Sequence, residues 1–210
     1  MSFRKIDHIV YSVPNLEKAM DELESILGIR PAFGGYHKTQ GTKNALLNLG
    51  SGCYLEVLAI DYDNTAIKAS RWMGIEHITS PRITRWALKS NRIESDVEIL
   101  KRYNDAMGTI FQGSRKTTNG DILAWEMTLP LANPKIELIP FVVDWSDSDY
   151  HPTEKLNHKC TLKDIRFSSS TADKTNLVFD ELGISNSIYQ GVKKEISITI
   201  ESPNGLISLI

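Results

Sequence analysis

The order of apolar periodicities along the 210 residues predicts an α+β fold of tandem βαβββ modules, closing into a cup-shaped mixed sheet with helices on the outside. Two observations carry this reading. A stretch of period-two alternation is followed by one of helical period and then by three more extended stretches. That whole order then recurs in the second third of the chain, and duplicated order of this kind reflects duplicated structure.

In the first module, residues 5–60, the strand opening the chain places Ile6, His8, Val10 and Ser12 on one face and Asp7, Ile9, Tyr11 and Val13 on the other. Pro14 and Asn15 interrupt it, and Leu16, Ala19, Met20, Leu23, Ile26 and Leu27 then recur at helical spacing as far as Gly28. Gly34 and Gly35 open an extended stretch, and residues 44–50 and 53–60 read as strands around the turn Gly50-Ser51-Gly52. The second module, 82–145, begins with a strand over 82–90. A helix follows, marked by Ile93, Val97, Leu100, Tyr103 and Met107 and ending near Gly108. Extended stretches at 109–117, 122–129 and 135–145 complete it, with turns at Asn119-Gly120 and Asn133-Pro134. A shortened third module, 161–210, has a strand, a helix from Ala172 to Leu182 and a hairpin around Asn204-Gly205. It reads as a structural unit that covers a sheet edge, and the chain as a single domain over 1–210.

Composition excludes several classes of function. Lys and Arg total 24 against 26 Asp and Glu, a net charge of -2, which supplies no general attraction to nucleic acid or anionic lipid. No apolar run approaches the roughly 20 residues of a membrane span, and residues 1–10 lack the apolar stretch of a signal peptide. The expectation is a cytoplasmic protein with a small-molecule ligand and neither nucleic acid nor membrane as partner; a homodimer stays open. Cys53 and Cys160 lie outside any Cys-x-x-Cys pair and read as reduced thiols.

Candidate chemistry begins with His8, between Ile6 and Val10 on its strand face, and Glu56, between Tyr54 and Leu58 on another. An ionisable group on an apolar strand face is expensive to bury unless it is paired, hydrogen-bonded or metal-bound; partly solvated faces are the bland alternative. Glu137 in IELIPF stands in the context that Glu56 has in LEVLAI, and Arg85 falls where His8 stood in the first module.

The repeated modules, with His8 in IDHIVYSVPNLEKA and Glu56 in GCYLEVLAI, resemble the vicinal oxygen chelate superfamily of glyoxalase I, extradiol dioxygenases and bleomycin-resistance proteins. Within it, SRKTTNGDILAWEMTLP, IPFVVDW and the pair His151-Pro152 resemble the glyoxalase-like domain family. The resemblance implies a divalent metal, Zn, Ni, Fe or Mn, held by His8, Glu56 and Glu137, with Glu56 or Glu137 moving a proton. Arg85 breaks that pattern, because a guanidinium has no lone pair for a metal. The other reading pairs Arg85 with Glu56 or Glu137 and leaves a metal-free pocket. The implied activity is a glyoxalase-like lyase, isomerase or dioxygenase acting on a small oxygenated metabolite; the alternative is a sequestering protein of the bleomycin-resistance type. Arg85, Arg115, Trp125 and Trp145 are the candidate substrate contacts, against a plain reading of the tryptophans as core aromatics and of Arg115 as a surface arginine. His151 is a candidate general acid or base, or else fixes its loop by a hydrogen bond.

Overall fold

The computed structural model describes residues 4–68, 70–116 and 121–210, with the side chains of Arg115 and Lys116 outside the description. The first module supplies β1 (Ile6–Ser12), α1 (Leu16–Leu27), β2 (Ala32–His37), β3 (Thr42–Asn48) and β4 (Tyr54–Ile60). The second supplies β5 (Arg82–Lys89), α2 (Ile93–Tyr103), β6 (Ile110–Lys116), β7 (Ile122–Thr128) and β8 (Phe141–Asp144). Together these strands form one mixed eight-stranded sheet, in the order β2-β3-β4-β1-β5-β8-β7-β6, curled into a half-barrel.

Local chemistry explains the limits of these elements. The Asn15 side chain accepts from the Lys18 amide to start α1, and Gly28 at φ 72° ends it in the left-handed conformation. The helix buries Leu16, Ala19, Met20, Leu23 and Leu27. Its counterpart α2 stops at Tyr103 rather than near Gly108, because Asn104 is extended and its side chain accepts from the Ala106 amide. That local bond competes with helix continuation, and Met107 falls in a 3-10 turn over 105–108. Likewise β8 begins only at Phe141; the residues before it are held by Arg85, as described below, and Pro140 has no N–H to offer a neighbouring strand. The Asn119-Gly120 turn lies outside the described residues.

The two modules meet where β1 runs antiparallel to β5, with His8 opposite Ala87, Ile9 opposite Trp86 and Val10 opposite Arg85. A local twofold through the Ile9–Trp86 pair therefore exchanges His8 with Arg85. On the concave face, Val10, Leu58, Ala87, Met127, Phe141 and Val143 pack with Trp72 and Met73. On the convex face, Ile9, Leu55 and Trp86 pack under α1 and α2 in the main core.

The last segment supplies β9 (Thr161–Ser169), α3 (Ala172–Leu182), β10 (Ile188–Gln190), β11 (Glu195–Ser202) and β12 (Gly205–Leu209). Its strands form a separate sheet in the order β10-β9-β11-β12, unlike the order within the first two modules. It lies on the convex face, where Phe167 and Phe179 meet Trp86 at ring separations of 4.8 and 5.7 Å. The expectation that it covers an edge of the main sheet is thereby corrected.

Candidate functional site

The register between β1 and β5 slips between Ile6 and His8, so Asp7 is the extra residue of a β-bulge. A bulge re-aims its side chain out of the period-two pattern. The Asp7 carboxylate is fully buried and receives three donors: His8 Nδ1 at 2.7 Å on Oδ1, with His151 Nε2 and Trp145 Nε1 each at 3.1 Å on Oδ2. Burial alone would raise its pKa. The hydrogen bonds from His151 and His8 outweigh this and hold Asp7 at about 2.

An ionised Asp7 accepts, so Nδ1 of His8 carries the proton and Nε2 is the nitrogen left for chemistry. That Nε2 lies 3.7 Å from Glu56 Oε2. Tyr54 stacks on the His8 ring at 4.7 Å, and Phe141 meets its edge at 5.2 Å. Asn44 Nδ2 donates to Glu56 Oε1 at 2.6 Å, and His37 Nε2 stands 3.9 Å from the same oxygen. His37 Nδ1 is 3.0 Å from Thr42 Oγ1.

His8, His37, Asn44, Tyr54, Glu56 and Phe141 line a chamber of about 50 Å³ that opens into an outer groove of about 840 Å³. The chamber has two unlike halves. The first module contributes His8, His37, Asn44, Tyr54 and Glu56; among the described residues the second contributes only apolar and indole side chains, Trp125, Met127, Phe141, Val143 and Trp145. Trp72 and Asn44, both chamber residues, carry buried polar atoms, Nε1 and Oδ1, with no hydrogen-bond partner among the described residues. Each such atom costs about 1–3 kcal/mol, which a ligand bonding to it would recover.

Of the expected metal ligands, His8 and Glu56 come together and Glu137 does not. Glu137 precedes β8; it accepts from Tyr103 Oη and the Ile139 amide, both at 3.1 Å, and lies 3.7 Å from Lys194 Nζ. The strand register gives the reason. Val10 pairs with Glu56 across β1–β4, and Ala87 pairs with Phe141 across β5–β8. The local twofold that exchanges Val10 with Ala87 therefore places Phe141, not Glu137, at the Glu56 position.

Arg85 likewise reaches neither glutamate by a hydrogen bond. Its guanidinium donates to the carbonyls of Thr84 (2.7 Å), Lys135 (3.2 Å), Leu131 (2.7 Å) and Pro134 (2.6 Å), clamping the segment before β8. Burial lowers its pKa to about 10 against the field of Glu137, so it is cationic at neutral pH. The positions related by the twofold are thus His8 and Glu56 on one side, Arg85 and Phe141 on the other. Two of four donors are missing, and among the described residues no group of three or more His, Cys, Asp and Glu side chains is placed to hold a metal ion. The donor set does not fit a divalent metal.

His151 is occupied at both nitrogens. Nδ1 accepts from the Thr153 amide in a capping box on the 3-10 turn over 152–155, and Nε2 meets Asp7. It supports Asp7 instead of facing the chamber. Trp125 and Trp145 are chamber walls, with ring centroids 5.5 Å apart. Trp125 lies opposite Gly113, where a Cβ would overlap its six-membered ring, while Arg115 pairs with Leu123 and its side chain is outside the description. Cys53 and Cys160 are free, buried thiols; burial pushes Cys53 up to about 12 and raises Cys160, which disfavours the reactive thiolate. Sequence reasoning missed Asp7, His37, Asn44 and Trp72; for Asp7 the adjacency to His8 was the one signal, and alternation pointed it to the wrong face.

Comparison with known proteins agrees with this architecture. The model of a glyoxalase-like domain family matches residues 6–183. No curated protein matches the chain. A hypothetical protein from Staphylococcus aureus superposes with a TM-score of 0.67 at 17% identity, over 98% of both chains, and shares the fold. Methylmalonyl-CoA epimerase from Streptomyces coelicolor, in complex with 2-nitronate-propionyl-CoA, gives a TM-score of 0.44 at 14% identity, over 71% of this chain and 99% of its own. The Mycobacterium tuberculosis methylmalonyl-CoA epimerase gives 0.40 at 19% identity, over 66% and 86%.

Proposed function

The chain belongs to the glyoxalase-like domain family of the vicinal oxygen chelate superfamily, and from its two-toned chamber we propose that it is an enzyme moving a proton on a carbonyl-bearing metabolite, with His8 as the base and without a metal. The observation that supports this is the buried chain Asp7–His8–Glu56, whose ionisable members all come from the first module and face apolar walls from the second.

His8 Nε2 takes a proton from the carbon next to the carbonyl, and the electron pair moves onto the carbonyl oxygen to give an enolate. Asp7 stabilises the imidazolium that forms, as an orienting carboxylate does behind any catalytic histidine. Glu56, held by Asn44 and 3.7 Å from His8 Nε2, is the second proton carrier: it receives that proton from the imidazolium and returns it to carbon or oxygen, which restores the neutral imidazole and the carboxylate. The unused N–H of Trp72 is the donor offered to the oxygen that gains charge. A base positioned in this way accounts for roughly 10²–10⁴ in rate.

The test is proton NMR in D2O with phenylacetone and phenylpyruvate as probes. Deuterium should enter the position next to the carbonyl with the wild type and fall to the background rate with His8→Ala; Glu56→Gln should slow it. Exchange unchanged in His8→Ala would refute the assignment of the base. A second reading, sequestration without chemistry, is favoured by the size of the outer groove, and saturable binding without exchange would decide for it.

A further inference from the structure

The outer groove is far larger than the chamber it feeds, at about 840 Å³ against about 50 Å³. It is the volume of a drug-sized molecule, whereas the chamber admits only a few atoms. The two share His37, Leu46, Trp72, Trp125 and Pro152, so they are one continuous space. Flat rings stand along the groove: Phe33 and Tyr36 on β2, in edge contact at 5.4 Å, with Phe111 and Trp125 from β6 and β7. Phe33 and Tyr36 are 50% and 51% exposed, although both are large apolar side chains on an edge strand. Exposed aromatics in a concave surface mark a place that something apolar covers. The charges along the groove are one-sided. Among its described lining residues there is no carboxylate, and the lysines are Lys38 and Lys155.

Resting on the acid–base reading of the chamber, we infer that the substrate is a flat aromatic organic anion: its ring system lies between the groove aromatics, its acidic group meets Lys38 and Lys155, and its carbonyl end enters the chamber. The rings supply stacking surface, and the two exposed cations supply a modest preference for negative charge, about five- to tenfold.

Quenching of tryptophan fluorescence tests this with three probes: anthraquinone-2-sulfonate, the uncharged anthraquinone-2-carboxamide, and decanoate. The sulfonate should bind five- to tenfold more tightly than the carboxamide and more tightly than decanoate. In Lys38→Ala/Lys155→Ala the preference for the sulfonate should vanish while carboxamide affinity is unchanged. Equal affinity for sulfonate and carboxamide in the wild type overturns the charge assignment, as does a preference that survives loss of both lysines. Decanoate binding as tightly as the sulfonate overturns the aromatic body. Repeating the titration with His8→Ala separates the two proposals, since the anion preference should persist there. Retained preference with no deuterium exchange in the wild type refutes the base and leaves the groove; exchange without any charge preference does the reverse.

Discussion

Replacing Asp7 by Asn probes the buried hub of the site with a change of one atom type. Three donors converge on the carboxylate, one on Oδ1 and two on Oδ2. An amide has one acceptor oxygen. Turned toward Oδ1, it would set its NH2 against the Trp145 N–H, which cannot accept; turned toward Oδ2, it donates to His8 Nδ1 and moves the ring proton to Nε2. The second orientation is the cheaper one, and it removes the base. The stability change follows from the pKa. A depression from 3.8 to about 2 in the folded state corresponds to roughly 2 kcal/mol at about 1.36 kcal/mol per pH unit. Because the folded value is lowered, this contribution is complete above the unfolded value and is lost as pH falls through the folded one; about half of it is left at pH 3. Urea unfolding of wild type and Asp7→Asn should therefore differ by about 2 kcal/mol at pH 7 and by about half that at pH 3, with deuterium exchange at background in the variant. A gap below about 0.5 kcal/mol at pH 7, or one that does not narrow toward pH 3, would refute the account of Asp7 as an ionised acceptor.

Arg85→Lys should not substitute for the clamp, since one ammonium cannot serve four carbonyls; a loss of about 2–3 kcal/mol is expected in denaturant titration, with shifts of the 131–135 amides in NMR spectra. Gly113→Ala should displace Trp125, visible as a changed tryptophan emission and weakened ligand quenching at a stability cost of about 1–3 kcal/mol. Burial and Glu137 raise the Tyr103 pKa, so the protein should lose stability as pH rises beyond the ordinary tyrosine range, and Tyr103→Phe should flatten that alkaline loss. Metal analysis of protein purified without chelator, then titrated with Zn, Ni, Fe and Mn salts, should show no stoichiometric ion; one that disappears in His8→Ala would contradict the donor-set argument.

Alternation and helical spacing were enough to read β1, α1, β4 and β5, because their apolar faces are mostly buried, Ile26 at the exposed margin of α1 excepted, and their caps are local: Asn15, Gly28 and the turn at 50–52. They were also enough to single out His8 and Glu56 as costly residues on strand faces. What escaped depends on pairing between distant segments. Asp7 leaves the alternation only because β5 slips by a residue against β1. Glu137 looked like Glu56 because their neighbours are alike, but equivalence is set by the β5–β8 register, which selects Phe141. Arg85 read as a partner for a carboxylate, whereas the carbonyls of the segment before β8 were the acceptors it met. The separate sheet of the last segment was illegible for a similar reason, since the order β10-β9-β11-β12 is a matter of which strands find each other.

The unlike halves of the chamber bear on stereochemistry. A planar enolate held between them meets proton carriers on one side and hydrocarbon on the other, Phe141 standing where a second carboxylate would be. On the proposed acid–base reading, protons would leave and return through a single face. Deuterium would accumulate at one prochiral position, and a chiral carbon next to the carbonyl would keep its configuration through many rounds of exchange. The local twofold relates the scaffolds of the two modules but not their side chains, so on the proposed acid–base reading the site would be handed.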